Sequence, residues 1–391
     1  MAVFGRGLRS EWLLDPAVTY LNHGTVGAPP RRVLEAQRAI VDEIERQPAK
    51  FMLRELADTS GTAGEALPRI RQAAAHVARF VGVHPDDLVF VDNITAGANA
   101  VLRSFPLKTG DELLVTNLGY GGVSNTARFA ARQAGATCRT IDLPSPGASP
   151  EEFVDAVERG LGDHTRLIVI DHITASTALI LPLAQIAAAC HRRGVLVFAD
   201  GAHVPGNIPL DISALGVDWY AANLHKWAWA PRSAGILWAA AEHQAGLHPT
   251  VISWGLDNGF AAEFDLLGTR DPSAFLASPF AIDLMRGYGI ESIHTWNHDL
   301  AVWSGAYLAD RWGVKFATPA EMLGAMVNVS LPAQLGTTDA EAAALRAALD
   351  GDGFEIPIYA ERGQLSLRIS AQIYNDRADI EALADAVCRR I

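Results

Sequence analysis

The feature that most constrains the fold is an alternation of short apolar segments with longer amphipathic segments, which begins at Asp87. The apolar segments have the length of strands, and the segments between them carry apolar residues at helical spacing. This alternation is typical of an α/β fold in which helices cover both faces of a mostly parallel sheet. The predicted strands are residues 88–91, 112–116, 137–141, 166–171, 194–199, 217–222 and 233–238. The predicted helices between them are residues 95–102, one that ends near Gly135, 150–161 and 182–193.

A different pattern precedes and follows this alternation. Helices are predicted over residues 30–44 and 64–81, and beyond Asp271 over 274–289, 292–311, 339–349 and 376–390. The strands predicted in the C-terminal part are residues 325–331, 354–359 and 364–370. We therefore expect a large domain of residues 20–270 and a smaller α+β domain of residues 1–19 and 271–391.

Composition excludes several classes of function. The chain has 32 basic and 44 acidic residues, a balance that disfavours nucleic acid as a partner. No apolar run has the length of a membrane span, and the N-terminus lacks the pattern of a secretory signal. The chain has three cysteines, Cys138, Cys190 and Cys388, which lack the spacing of a metal site and suit a reducing compartment. We expect a cytoplasmic protein with no bound metal and no membrane partner.

Two segments near the centre of the chain carry the chemistry. The strand predicted over residues 194–199 leads to Asp200 and then His203, and the next predicted strand leads to Lys226. A lysine amine can form a Schiff base with an aldehyde cofactor, and an aspartate can keep a pyridinium nitrogen protonated. Taken alone, the aspartate could cap a turn and the lysine could be a surface residue. Their occurrence together, in Ala-Asp-Gly-Ala-His and His-Lys-Trp, favours the cofactor interpretation.

These motifs, with residues 20–30 and 171–177, resemble the class V aminotransferase family of fold-type I pyridoxal-phosphate enzymes. The resemblance is to the isopenicillin N epimerase branch more than to the cysteine desulfurases, and it extends from Tyr20 to Asn375. It implies pyridoxal 5′-phosphate as cofactor and a large domain with a mostly parallel sheet beside a smaller α+β domain. It also implies that Lys226 forms the internal aldimine and that Asp200 pairs with the pyridine nitrogen. His203 would lie near the cofactor's 3-oxygen, unless it is a hydrogen-bonded core histidine.

The resemblance further assigns a phosphate site and a ring-stacking residue. Thr95 and Ala96 match the phosphate-binding turn, at a predicted helix start whose free amides suit an anion. Asn223 and His225 resemble side-chain phosphate ligands, although many relatives have serine at the position of Asn223. Tyr120 matches the aromatic residue that stacks on the pyridine ring. The remaining contact, to the cofactor's oxygen, falls to one of two hydroxyls that the sequence does not distinguish, Thr174 or Ser176.

Substrate recognition and assembly also follow from the resemblance. Arg368 matches the arginine that holds the substrate carboxylate, and its planar guanidinium suits a two-point contact. Asn22 and His23 match the N-terminal segment that closes over the substrate. Thr269 resembles the threonine that reaches the phosphate of the neighbouring subunit, which would make the protein a homodimer with composite active sites. The alternative is that the segment around Thr269 is a domain linker.

The cofactor site alone leaves several reactions open. An external aldimine weakens any suitably oriented bond at the α-carbon of an amino acid, so one site serves epimerisation, β-elimination, decarboxylation and transamination. Residues 361–374 contain no cysteine, which disfavours desulfuration through a protein persulfide. We expect an isopenicillin N epimerase-like enzyme that acts at the α-carbon of an amino acid or a cysteine conjugate, in bacterial secondary metabolism such as antibiotic biosynthesis. The alternatives are a C–S β-lyase, a decarboxylating deaminase or aminotransferase, and a non-catalytic binding protein, which the presence of Lys226 and Asp200 disfavours.

Overall fold

The structure is a computed structural model that describes residues 4–57 and 67–391. Its strands, in chain order, are β1 (Thr19–Tyr20), β2 (Leu88–Val91), β3 (Glu112–Thr116), β4 (Thr137–Ile141), β5 (Thr165–Asp171), β6 (Leu196–Asp200), β7 (Trp219–Asn223), β8 (Gly235–Ala239), β9 (Met326–Ser330), β10 (Phe354–Glu355), β11 (Ile358–Glu361) and β12 (Gln364–Ser370). Its α-helices are α1 (Arg31–Arg46), α2 (Pro48–Lys50), α3 (Arg69–Val81), α4 (Ile94–Ser104), α5 (Gly121–Ala134), α6 (Pro150–Gly160), α7 (Leu183–Arg192), α8 (Phe260–Asp265), α9 (Ser273–Tyr288), α10 (Ile290–Trp312), α11 (Asp339–Gly351) and α12 (Arg377–Cys388).

Seven strands form the main sheet in the order β2-β8-β7-β6-β5-β3-β4. The neighbours β7-β6-β5-β3-β4 are all parallel, whereas β8 is antiparallel to both β7 and β2. The central strands are buried along nearly their whole length, since helices cover both faces of the sheet. The predicted α/β fold class, with a mostly parallel main sheet, is confirmed. The segment predicted over residues 233–238 does complete this sheet, as β8.

The chain crosses to the smaller sheets near its C-terminus. Strands β11, β12 and β9 form an antiparallel sheet, and β1 pairs with β10 in a separate parallel pair. The single strand predicted over residues 354–359 is wrong, because two strands occupy this segment. Pro357 lies between them, and a proline has no N–H to donate to a continuous ladder. The break sends β10 to the N-terminal segment and β11 to the small sheet.

Helices α1 and α3 each pack against α9, beside the main sheet. Residues from α9 and α10, including Phe275 and Ile293, therefore share a core with the main-sheet residues. The domain boundary placed at residues 270 and 271 stays a prediction. Residue 64, where one helix was predicted to start, lies outside the described residues, and α3 begins at Arg69 after Pro68. No helix in the described parts of the chain is long and apolar enough to cross a bilayer.

Candidate active site

A cavity of about 600 Å³ lies at the carboxyl ends of the central parallel strands. This is where ligands bind in open α/β sheets, because the chain leaves the sheet there in loops whose side chains converge. Its walls come from the ends of β5, β6 and β7, the first turns of α4 and α5, the N-terminal segment and the small sheet. The lining includes Thr25, Thr95, Tyr120, Asp171, Ser176, Asp200, His203, Asn223, His225, Lys226, Arg232, Tyr359 and Arg368.

Asp200 ends β6 with its carboxyl group almost fully buried, at 2% exposure. Its Oδ1 accepts a hydrogen bond from the backbone N–H of Ala202 at 2.9 Å, whereas Oδ2 has no partner among the described residues. Burial raises the pKa of Asp200 to about 6, and the Ala202 amide and the Lys226 charge oppose that rise. A buried carboxylate oxygen without a donor is a site for an N–H group that the ligand must bring.

Lys226 follows β7, and its amine faces the cavity beside His203. The distance from Lys226 Nζ to His203 Nε2 is 3.2 Å. The Trp227 indole, which can only donate, lies 3.5 Å from His203 Nδ1, so Nδ1 accepts and Nε2 carries the hydrogen. Burial lowers the pKa of Lys226 to about 8, with Arg368 as the next cause, and burial also keeps the pKa of His203 well below its usual value. His203 is therefore a neutral ring that donates to the lysine nitrogen when that amine is unprotonated.

The first turn of α4 has two of its backbone amides occupied by asparagine side chains. Asn93 caps the helix by accepting from the Ala96 N–H at 3.0 Å, and Asn223 Oδ1 accepts from the Ile94 N–H at 2.9 Å. Thr95 lines the cavity from this turn, and Ala96 does not belong to the lining. Asn223 thus anchors the helix start to β7, and of Thr95 and Ala96 only Thr95 lines the cavity.

His225 stands between this turn and the lysine. Its Nδ1 donates to the Ala234 carbonyl at 3.0 Å, which leaves Nε2 as an acceptor. Burial is the main cause that lowers the pKa of His225 to about 4, so the ring is neutral at physiological pH. A neutral ring in this tautomer contacts a phosphate only through a protonated oxygen or after the ring itself gains a proton.

Tyr120 precedes α5 and presents its ring at the cavity wall, with 48% of the residue exposed. Gly122 permits this position, since a Cβ on it would lie 2.7 Å from a carbon of the Tyr120 ring. Ser176 also lines the cavity. Thr174 is fully buried and bonds within its own turn, to Thr177 Oγ1 at 2.7 Å and to the Leu179 N–H at 2.8 Å. Of the two hydroxyls, Ser176 is therefore the one that faces the cavity.

Arg368 lies on β12 and is held in a fixed position, at 2% exposure. Its Nη2 donates to Thr25 Oγ1 at 2.6 Å and more weakly to Asn22 Oδ1 at 3.4 Å, and its Nη1 donates to the Ala175 carbonyl. Its Nε has no partner among the described residues. A buried guanidinium with no carboxylate beside it is suited to binding the carboxylate of a ligand.

Asn22 and His23 lie just outside the cavity. The Asn22 amide donates to Glu355 Oε1 at 2.7 Å. His23 is completely buried, with Nδ1 2.9 Å from the Tyr374 hydroxyl and Nε2 3.0 Å from the Lys226 carbonyl oxygen. Both residues therefore contact the groups that hold the cavity together, and their predicted substrate contacts stay predictions.

Thr269 is exposed and lies away from this cavity, at a separate surface hollow of about 380 Å³ that also contains Trp254 and Leu266. The following residue, Arg270, packs over the Phe275 ring at 4.8 Å. Within one subunit Thr269 is therefore not brought to the other predicted site residues.

Comparison with known proteins decides the family. The sequence pattern of the family described as "Aminotransferase class-V" matches residues 29–383. The chain belongs to the class-V aminotransferase family. It is 32% identical to a probable chloroplastic L-cysteine desulfhydrase of Arabidopsis thaliana, over 95% of this chain and 83% of that protein. It is 33% identical to an isopenicillin N epimerase of Amycolatopsis lactamdurans, over 97% of this chain and 96% of that protein.

Solved structures share the fold of this class-V enzyme. The cystine C–S lyase C-DES superposes with a TM-score of 0.80 at 24% identity, covering 95% of this chain and 97% of the lyase. The cysteine desulfurase CsdA of Escherichia coli superposes with a TM-score of 0.78 at 21% identity, covering 100% of this chain and 99% of the desulfurase. The fold is that of the fold-type I pyridoxal-phosphate enzymes.

Pyridoxal phosphate is the cofactor of this family, and the cavity fits it. The free Oδ2 of Asp200 suits the pyridinium N–H, and the Lys226 amine is placed in the same cavity. The first turn of α4, at Thr95, suits the phosphate because a helix start favours an anion. These features come from three separate elements of the described structure, and each suits a different part of one cofactor.

Sequence reasoning missed several lining residues. Asp171 is the first residue of the motif at residues 171–177, but it was not predicted as a site residue. It pairs with Asp200 in register across β5 and β6. A polar residue at the end of each of two neighbouring strands is the signal that would have identified it. Thr25, Arg232 and Tyr359 carried no such signal, because their positions depend on how the N-terminal segment and the small sheet fold against the main sheet.

Proposed function

We propose that this class-V enzyme is a C–S β-lyase that acts on L-cysteine or a cysteine conjugate. The observation that carries the proposal is the arrangement of Lys226 and Arg368 around one cavity. Of the lining residues that the structure describes, Lys226 has the only primary amine, and Arg368 offers a buried guanidinium with an uncommitted N–H. One base and one carboxylate clamp are what α,β-elimination from an amino acid requires.

The residues divide the work as follows. Pyridoxal phosphate, when bound, supplies an electron sink for negative charge at the substrate's α-carbon. Arg368 holds the substrate carboxylate and so fixes which α-carbon bond faces Lys226. Lys226 Nζ accepts the α-proton, and the hydrogen on His203 Nε2 orients that nitrogen. The same Nζ can then deliver the proton to the departing sulfur, which balances the elimination.

The positions of the cysteines support lysis over desulfuration through a protein persulfide. All three cysteines of the chain are described, and none of them lines the cavity. Cys190 is buried in α7, where burial raises the pKa of its thiol to about 12. A persulfide carrier must be a reachable thiolate. Sulfur cleaved in this cavity would therefore leave with the product.

Epimerisation is the second candidate, because two isopenicillin N epimerases are each 33% identical over 97% of this chain. Inversion at the α-carbon requires a second group that returns the proton from the opposite side. Tyr359 lines the cavity, and burial raises the pKa of its hydroxyl, which therefore stays protonated at neutral pH. Transamination and decarboxylation use the same cofactor site and remain outcomes of the test below.

The test is to incubate the holoenzyme with L-cysteine, L-cystine, S-alkyl cysteines and L-alanine in D₂O. A lyase should form pyruvate, ammonia and a thiol or sulfide from the sulfur substrates, and it should exchange only the α-hydrogen of alanine. Accumulation of D-amino acids would instead establish epimerisation, conversion of the cofactor to its amine form would establish transamination, and release of carbon dioxide would establish decarboxylation. The Lys226→Ala variant is the matched control and should give none of these products.

We also propose that the enzyme is a homodimer in which Thr269 completes the partner's phosphate site. Thr269 is exposed and far from its own cavity, and an apolar surface lies on the same side of the molecule. Trp254 is 87% exposed, and Val251 and Ile252 are 55% and 54% exposed. Adjacent exposed apolar side chains of this size mark a protein–protein contact. A second copy of the chain is the occupant that would bring Thr269 to an active site.

Complementation between two inactive chains tests the shared site. Thr269→Glu should abolish activity by placing a carboxylate against the phosphate, whereas Thr269→Gln, a neutral control of the same length, should retain more. Mixing Thr269→Glu chains with Lys226→Ala chains should restore activity, because one site of each hybrid dimer is intact. No recovery despite demonstrated subunit exchange would contradict the shared site, and so would a monomeric active enzyme.

A further inference from the structure

Asp171 is a second buried carboxyl group in the cavity, and the chemistry above leaves it without a role. It ends β5 at 5% exposure, and its Cα is the register partner of Asp200 on the neighbouring parallel strand. Register partners on parallel strands lie about 5 Å apart and point to the same face of the sheet. The cavity wall therefore contains two acids side by side.

Two ionised carboxylates cannot share a buried site of this kind at low cost. The charged and titratable groups that face Asp171 are Asp200 on β6 and Lys226 after β7, and the first is of like charge. Where two carboxyls share one site, one of them keeps its proton. Burial raises the pKa of Asp171 well above its usual value, and the charge of Asp200 raises it further. Asp200 must be the ionised member, since its free Oδ2 faces the position of a pyridinium.

The Asp171 carboxyl also lies against the loop that carries Tyr120. The backbone N–H of Tyr120 is beside this carboxyl and opposes the rise in its pKa. Gly119 makes this approach possible, because a Cβ on that residue would already lie 3.5 Å from Asp171 Oδ2. The Tyr120 side chain does not cap α5, so the position of its ring depends on how the backbone of this loop is held.

We propose that Asp171 is a positioning residue that remains a neutral carboxylic acid beside ionised Asp200 and fixes Tyr120 at the cavity wall through its backbone amide. In this arrangement one acid supplies the negative charge and the other supplies a hydrogen-bond acceptor. Asparagine can replace such a neutral acceptor, and alanine cannot.

Infrared spectroscopy of the apoprotein tests the protonation state. At neutral pH the wild-type protein should show the C=O stretch of a protonated carboxylic acid, and Asp171→Asn should lack this band. In Asp200→Asn the band should be weaker or absent, because the neighbouring negative charge that keeps Asp171 protonated is removed. Loss of the band in Asp171→Asn alone, or in both variants, supports the assignment. A wild-type protein without the band, or a band that persists in Asp171→Asn, would overturn it.

Hydrogen exchange tests the positioning role, with fragmentation that resolves the Tyr120 amide. Asp171→Ala should raise the exchange rate of that amide about tenfold, the effect of losing one hydrogen bond, and Asp171→Asn should keep it within about twofold of wild type. The induced circular dichroism of bound cofactor should likewise change in Asp171→Ala and stay close to wild type in Asp171→Asn. Equal behaviour of the asparagine and alanine variants would refute the proposal. Because none of these measurements needs turnover, they stand whichever reaction the enzyme performs.

Discussion

The rate at which the apoprotein takes up pyridoxal phosphate should rise with pH up to about pH 8 and then level off. A protonated amine has no lone pair for attack on an aldehyde, so uptake follows the neutral fraction of Lys226. Burial lowers the pKa of this amine from 10.5 to about 8, and the nearby Arg368 charge contributes to the decrease. The direction follows, because a lowered pKa increases the neutral fraction at any pH below it.

The size of the effect follows from that value. With a pKa of about 8, about one Lys226 in eleven is neutral at pH 7 and about half are neutral at pH 8. With the ordinary value of 10.5, about one in three thousand would be neutral at pH 7. Burial therefore makes the lysine a few hundred times more available near neutral pH.

Stopped-flow absorbance of apoprotein mixed with cofactor measures this rate, and a soluble lysine analogue measured in parallel removes the cofactor's own ionisations. The Arg368→Gln variant should move the break to higher pH, because it removes a positive charge that lowers the lysine pKa. Arg232→Gln is the control, since Arg232 lines the same cavity but is exposed and does not shift Lys226. A break near pH 10, or an identical break in wild type and Arg368→Gln, would refute the reasoning.

Three further predictions concern single residues. Borohydride reduction of the holoenzyme followed by peptide mapping should place the pyridoxyl group on Lys226, and labelling of another lysine would contradict the assignment. Asp200→Asn should bind cofactor but lose activity by about a hundredfold or more, as when a preorganised electrostatic partner is removed, and near-normal turnover would exclude the role. Gly27→Ala should lower the free energy of unfolding by about 1–3 kcal/mol, because its Cβ would lie 2.1 Å from the His225 carbonyl oxygen. Gly287→Ala in α9 is the control and should leave the free energy of unfolding unchanged, because its Cβ would meet nothing within 4 Å.

The main sheet was predictable because its strands are buried on both faces. A strand of this kind is continuously apolar, so β2 and β3 coincide with the predicted segments 88–91 and 112–116. The edge strand β4 also coincides with its predicted segment, 137–141, although it is largely exposed and of mixed composition. The split at Pro357 was also visible in the sequence, but the apolar residues on either side of it suggested one strand. The pairing partners decided the outcome, because β10 pairs with β1 and β11 pairs with β12.

The active-site motifs located the lysine and the acid, and they did not show what their neighbours contact. His23 and Tyr374 are 351 positions apart in sequence and 2.9 Å apart in the structure. Asn223 bonds to the start of a helix 129 positions away. Contacts of this range depend on how whole elements pack, and no local pattern encodes them. This is why the resemblance named candidate site residues without giving the partner of each.

The N-terminal segment joins the two halves of the active site, since its residues bond both to Arg368 on the small sheet and to the turn that carries Lys226. Thr25 accepts from Arg368, and His23 bonds to the Lys226 carbonyl oxygen. Gly27, two positions after Thr25, passes so close to the turn that carries Lys226 that a methyl group would not fit. Because the same few residues contact both, they set the distance between Arg368, the proposed carboxylate-binding group, and Lys226, the proposed base. A change in this segment should therefore alter turnover more than cofactor affinity, although none of its residues needs to react.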